Sequence, residues 1–436
     1  MKALKKIIIN LFRFFVKINF YYGMALILSL LTKPLNGKSK YRVLSLNKSI
    51  FSNDLDEIKK LDSNLQFLSF PRLLISEIIK KYVSNFEDLN DASYHPLMDG
   101  TPEQVKVYHD VEKVFKHLER LLKFDAVFAG NYVYVSQQEF FKVAKERGIP
   151  VIVLYKEGMF PAPISKKKSK ELYSGKTFIG SKLLVYNNII KKILLDANIP
   201  GIHKNNISTV GIPRMDNYTK ESFIKGKEKS IVLFAFEPQV KASVALENKI
   251  NLDLFINRCK SFQKDLFIFC KNNPEYSLTI KTKTSADALN DLLQILELES
   301  IEETPPNIKI TKSLSPIDLM KGSEFIAGFL STTLLEAMLL NKTIITPTFK
   351  DQLGDVVIDY FSNYTNVVNY ANQFEDFDNI FNGKKKVIKA NLDQRNEVLS
   401  NMIYSIDGES SRRVINTIEE EIQGIFLNKI NERKNK

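Results

Sequence analysis

Three hydroxyl residues in a row, Ser331, Thr332 and Thr333, stand between an apolar run (324–329) and a segment whose apolar spacing predicts a helix (332–340). The first backbone N–H groups of a helix lack partners, and the helix dipole favours negative charge beside them. Such a corner can hold a phosphate. Glu336, four residues after Thr332, falls on the same helical face. The same pattern also suits a plain capped helix, with a hydroxyl at the N-cap and a glutamate as capping-box partner. Lys281 and Lys283, at and just beyond the end of the apolar run 277–281, offer cations to an anion. Glu157 follows the run 150–155 and precedes Gly158 and a proline-punctuated loop. A carboxylate so placed can take a proton, or simply close a turn or a salt bridge. Gly130-Asn131-Tyr132 follows the run 125–129 and offers an amide and a ring to a sugar, or forms a packed loop. Arg214, after Pro213, offers a guanidinium to a phosphate or carboxylate, or a tie at a domain hinge. Glu237-Pro238-Gln239 follows the run 230–236, a loop position that suits phosphates.

Other chemistries lack their signatures. Asp54-Leu55-Asp56 has metal-binding spacing but lies in a polar segment, and the histidines at 95, 109, 117 and 203 lack ligand spacing. No metal is expected. There is no P-loop pattern and no nucleophile elbow. The net charge of +12 raises nucleic acid as a partner, but no zinc-finger spacing or RNA-binding signature accompanies it. Lys166, Lys167, Lys168 and Lys170 read as a solvated loop, so nucleic acid is not expected. Cys259 and Cys270 share a predicted helix and read as buried thiols of a reducing compartment. Much of the positive excess lies near the ends. Lys429, Arg433, Lys434 and Lys436 make a basic tail, while Lys2, Lys5, Lys6, Arg13 and Lys17 interleave with Ile, Leu and Phe. The apolar run 18–31 that follows is short of the roughly 20 residues that span a bilayer, and no small-residue cleavage site follows it. Such a segment fits a helix lying in a membrane interface, or an ordinary first helix. A cytoplasmic protein, peripheral on the inner face of the cell membrane, is the expectation.

Strands and helices must alternate to position these residues. Apolar runs at 41–46, 65–70, 125–129, 150–155, 182–186 and 207–211 alternate with helical spacing at 72–84, 102–123, 137–147 and 188–197. Runs at 230–236, 277–281, 307–310, 324–329 and 343–346 follow, with helical stretches at 248–272, 286–296 and 332–340. Continuous apolar strands joined by helices imply parallel sheets covered on both faces. The expected class is α/β, with two doubly wound domains facing across a cleft and a break in the polar stretch 216–229. The expected organisation is a basic apolar segment (1–40), a first domain (41–215), a second (230–385), and C-terminal helices packing back with a basic tail (386–436).

Two such halves, with VGIPRMD closing the first and GFLSTTLLEAMLLNKTIITP in the second, resemble the GT-B glycosyltransferases. More narrowly they resemble those of bacterial capsule and lipopolysaccharide assembly, grouped with the Kdo and sialic acid transferases that use CMP-sugars. The likeness spans roughly residues 120–350 and is sharpest at the hydroxyl corner and at SLTIKTK. It implies two Rossmann-like domains, nucleotide-sugar binding by the second, acceptor binding by the first, and neither metal nor cofactor. Under it, Glu157 deprotonates the acceptor, and Lys281, Lys283, Ser331, Thr332 and Thr333 hold the departing phosphate. Glu336 contacts the donor ribose, Arg214 the donor, and Asn131 and Tyr132 a glycan or lipid-linked acceptor. Lys156-Glu157-Gly158 is similar to the acidic-acidic-glycine motif of bacterial sialyltransferases, with Lys156 at the first acidic position. The His-Pro pair of the CMP-sialic acid branch is replaced by Lys281-Thr282-Lys283-Thr284-Ser285, and the only His-Pro, His95-Pro96, lies in the other half. The expected function is therefore sugar transfer from a nucleotide donor, CMP-Kdo or a relative. Three alternatives stand beside it: a two-Rossmann sugar-nucleotide epimerase, a CDP-polyol phosphotransferase, and a non-catalytic glycan-binding descendant. The first calls for more acids and histidines than the sparse His content offers, and the second for histidines this chain lacks.

Overall fold

A strand whose every side chain is apolar must be buried on both faces, which requires helices above and below its sheet. The computed structural model, which describes residues 2–46, 49–219, 226–235, 251–283, 286–350 and 359–434, builds two such sheets. The first contains β1 (Lys33–Pro34), β2 (Tyr41–Leu46), β3 (Leu65–Ser69), β4 (Ala126–Ala129), β5 (Val151–Tyr155), β6 (Lys182–Val185) and β7 (Ile207–Thr209). Their order is β1-β3-β2-β4-β5-β6-β7. Only the short edge strand β1 is antiparallel; in the parallel ladder Val43 faces Ala126 and Phe128 faces Ile152. All residues of β4 and β5 are buried.

The second sheet contains β8 (Lys227–Phe234), β9 (Ser277–Lys281), β10 (Ile308–Thr311), β11 (Ser323–Ala327), β12 (Thr343–Thr346) and β13 (Asn369–Tyr370). It is parallel throughout, in the order β10-β9-β8-β11-β12-β13. Numbered from β8, that order is 3-2-1-4-5-6, the Rossmann arrangement. The α/β class with two Rossmann-like parallel-sheet domains is thus the observed fold. The chain divides into one unit of Met1–Met159, Pro163–Asp216 and Glu409–Lys436, and another of Phe160–Ala162 and Asn217–Gly408.

The helices follow local chemistry. Pro102–Leu122 begins at Thr101, whose hydroxyl accepts from the Gln104 N–H at 3.1 Å, and stops at Lys123 in the left-handed region (φ 48°). The helix Leu252–Asn272 buries Phe255, Phe262, Phe269 and both cysteines against the second sheet, and burial pushes the Cys270 thiol up to about 12. At the N-terminus, α1 (Lys2–Lys17) leads into α2 (Tyr21–Leu31), which buries Met24, Ala25, Ile27 and Leu28 and packs on Pro102–Leu122. The Tyr21 hydroxyl donates to buried Asp110 at 2.7 Å. Among the described residues no helix is long and apolar enough to cross a membrane.

Candidate functional site

In an open parallel sheet, ligands gather beyond the carboxyl ends of the strands, where the strand order reverses. In the second unit this switch point lies between β8 and β11. The chain leaves β11 through Gly328 to Leu330, and Leu330 takes a positive φ of 47°. A leucine in that conformation costs about 1–2 kcal/mol, so its surroundings enforce the turn. Ser331, Thr332 and Thr333 follow, and the helix runs from Thr333 to Leu339, slightly shorter than its apolar spacing suggests. The Thr333 hydroxyl donates to the Ser331 hydroxyl at 2.8 Å, and the Thr333 N–H approaches the same oxygen at 3.3 Å. Thr332 makes no side-chain cap to its own helix. Glu336 is buried, and its Oε2 accepts from the Tyr218 hydroxyl at 2.8 Å, which holds the carboxylate in place.

Lys281 ends β9, with β8 between it and the corner strand. Two strand spacings are about 10 Å. Its ammonium donates to the carbonyls of Thr282 (2.7 Å) and Lys312 (3.0 Å), so it leans toward β10 and away from β11. Burial pulls its pKa below the ordinary lysine value. Lys283 is half-buried in the same loop. Thr284, Ser285 and the loop Glu237-Pro238-Gln239 lie outside the described residues.

In the first unit the strand order reverses between β2 and β4. Gly130 leaves β4 where a Cβ would lie 2.7 Å from the Phe51 side chain, which explains the glycine. Asn131 turns inward and accepts from the Val133 N–H at 3.0 Å. Tyr132 is fully buried, its ring 5.1 Å from Tyr155 and 5.8 Å from Phe178, and burial lifts its phenol well above the ordinary range. Both side chains are thus packed into this unit.

Glu157, after β5, is 43% exposed at the side chain. Its Oε1 accepts from the buried Lys156 ammonium at 2.5 Å and from the Tyr134 hydroxyl at 3.0 Å. Arg72, beyond the end of β3, lays its guanidinium 4.6 Å from the centre of the Tyr134 ring and donates to Ser136 at 2.9 Å. Arg72 is buried, and desolvation lowers its pKa. Desolvation, and then the Glu157 charge, raise the Tyr134 phenol. Three strand ends thus bring a carboxylate, an ammonium, a phenol and a guanidinium together. Spacing pointed to Glu157 alone; Tyr134 and Arg72 carry no local signal.

Arg214 belongs to the first unit, whereas Lys281, Lys283, Ser331, Thr332, Thr333 and Glu336 belong to the second. Its guanidinium pairs with Asp54 at 3.2 Å and donates to the Tyr186 hydroxyl at 3.1 Å. Asp54 is fully buried, although its neighbours in sequence are polar, and also accepts from the Tyr186 hydroxyl.

No protein-family model and no curated protein sequence matches the chain. Solved structures do. A putative UDP-N-acetylglucosamine 2-epimerase from Listeria monocytogenes matches at a TM-score of 0.50 and 11% identity, over 88% of this chain and 98% of that one. The UDP-GlcNAc 2-epimerase from Neisseria meningitidis bound to UDP-GlcNAc gives 0.47 and 13%, over 87% and 99%. The S. aureus MnaA–UDP structure gives 0.47 and 14%, over 89% and 97%. At such identities the likeness shows the fold. It also corrects the expected function. The Listeria structure is named as a putative UDP-N-acetylglucosamine 2-epimerase, so sugar transfer from CMP-Kdo, and a place in the Kdo and sialic acid group, give way. The physical reason is that one two-sheet scaffold serves many chemistries, and motifs that mark the scaffold do not mark the reaction.

Proposed function

We propose that this chain binds a uridine-type nucleotide sugar and inverts a stereocentre on its sugar, as a sugar-nucleotide epimerase. The carrying observation is the corner after β11, with Ser331, Thr332 and Thr333 at the switch point of a 3-2-1-4-5-6 sheet and Glu336 held in place by Tyr218. In this reading the hydroxyls and backbone N–H groups of the corner hold the diphosphate, while Lys281 keeps to the carbonyls of Thr282 and Lys312 and Lys283 is the cation offered from the loop after β9. The name of the Listeria protein, whose fold this chain shares, supports UDP-GlcNAc as the substrate class. Inverting a carbon centre requires a group that takes a proton and one that returns it. The first unit holds groups of both kinds in Glu157, Lys156 and Tyr134, and Glu157 is the candidate proton acceptor.

The test has two arms. A ligand that binds only the folded state raises the melting temperature, so UDP and UDP-GlcNAc should raise it where CMP and GDP do not. Stabilisation by CMP alone, or by no nucleotide, overturns the ligand assignment. Incubation with UDP-GlcNAc in heavy water should then yield a second epimer carrying deuterium at the inverted carbon, seen by proton NMR. Binding without deuterium incorporation or a second epimer removes the epimerase reading and leaves a nucleotide-sugar-binding protein.

A further inference from the structure

Helix α1 carries two apolar stripes. One, through Phe12 and Val16, is buried in its own unit. The other consists of Ile7, Leu11 and Phe14, about one helical turn apart on a single side and continued by Ile18 just past the helix end, and all four are exposed, Ile7 by 62% and Phe14 by 54%. Helix α2 repeats the arrangement with an outer stripe of Tyr22, Leu26 and Leu30, Leu30 being 73% exposed. Aromatic rings join the stripes. Phe15 lies 6.1 Å from Phe14 and 5.0 Å from Phe20, and Phe20 lies 6.4 Å from Tyr22. Eight of the seventeen exposed large apolar side chains among the described residues fall on this helical pair and its turn, so the exposure is concentrated rather than scattered.

Charge identifies the partner. The first 40 residues hold eight Lys and Arg and no Asp or Glu. Lys6 and Lys17 are exposed on α1 beside the outer stripe, and the Lys113 ammonium lies 4.8 Å from the centre of the Tyr21 ring on α2. A second copy of the chain docked on this face would set like charges against each other. An anionic surface with an apolar interior satisfies both features, since long basic side chains reach headgroups while Leu and Phe enter the acyl boundary. Neither helix is long and apolar enough to cross a membrane. We propose that α1 and α2 form a docking surface for an anionic lipid bilayer, lying in its interface.

Co-sedimentation of the full chain with phosphatidylglycerol-containing vesicles tests this, with pure phosphatidylcholine vesicles alongside. The protein should pellet with the anionic vesicles and far less with the neutral ones, and high salt should weaken binding. Leu11→Ser with Phe14→Ser should reduce binding about tenfold or more. Lys6→Glu with Lys17→Glu should abolish the preference for anionic lipid. All four positions are exposed, so an unchanged melting temperature confirms that each variant folds. The proposal is overturned if the wild type stays in the supernatant, or if both variants pellet as it does. It is equally overturned if the chain forms a dimer that Phe14→Ser dissociates while no vesicle is bound, which would make the stripe an interface between copies.

Discussion

Glu157 accepts hydrogen bonds from an ammonium and a phenol while keeping part of its side chain in solvent. Removing its charge without its shape separates chemistry from binding. Glu157→Gln should lower epimerase turnover by about 100-fold or more while nucleotide-induced stabilisation persists, the usual scale for losing an acid–base group. Equal activity in the variant, followed by NMR, would remove Glu157 from the reaction. The buried trio behind Arg214 predicts the opposite kind of effect. Asp54→Ala leaves a guanidinium and a phenol without their shared acceptor, so urea unfolding should show a loss of about 3–5 kcal/mol. The sequence made Glu157 legible because it stands at a strand end beside a glycine. It hid Asp54, which stands in a polar segment, although the side chain is wholly buried.

Elements meet through caps that no local motif announces. The carboxylate of Asp216 accepts from the Ser410 and Ser411 N–H groups at 3.1 and 2.7 Å and so caps the C-terminal helix Ser410–Lys434 from 194 positions away. Asp216→Ala should therefore cost about 1–2 kcal/mol and fray that helix first, visible as faster amide exchange over its opening turn. Unchanged exchange there would show that packing alone holds the helix start. Strands were legible because buried β segments are short, continuous and apolar. The small helices Tyr94–Met98, Lys166–Leu172, Pro316–Gly322 and Phe374–Phe381 were not. Each is eight residues or fewer, too short for a 3.6-residue period to stand out from its surroundings.

Across the whole molecule, burial of tyrosine makes stability depend on alkaline pH. Tyr94, Tyr132, Tyr155 and Tyr186 are buried, and desolvation, their leading influence, raises each phenol above its ordinary value. A raised folded value means that the stabilisation is complete below the ordinary tyrosine pKa near 10 and is lost as pH rises above it. While the unfolded phenol ionises and the folded one does not, the loss is about 1.4 kcal/mol per pH unit for each group. Urea midpoints should thus be nearly level between about pH 8 and 9.5 and fall steeply above about pH 10, with tyrosinate absorbance from these rings appearing only on unfolding. A midpoint that stays level to about pH 11.5 would contradict their burial.

Sequence alone determined the α/β class, the two parallel sheets and the hydroxyl corner, because these depend on periodicity and on neighbours within a few residues. It also suggested a reaction that the structural likeness overturned, since the motifs it read belong to the scaffold. Only the tertiary structure decided the strand order that makes Ser331 to Thr333 a switch point, and only it joined Tyr218 to Glu336 across 118 positions and Arg214 to Asp54 across 160. It also set Arg72 beside Tyr134 and Tyr134 beside Glu157, from three different strand ends. A buried polar group must find a partner, but which distant residue supplies it follows from how helices and strands pack, and nothing in the spacing along the chain encodes that choice.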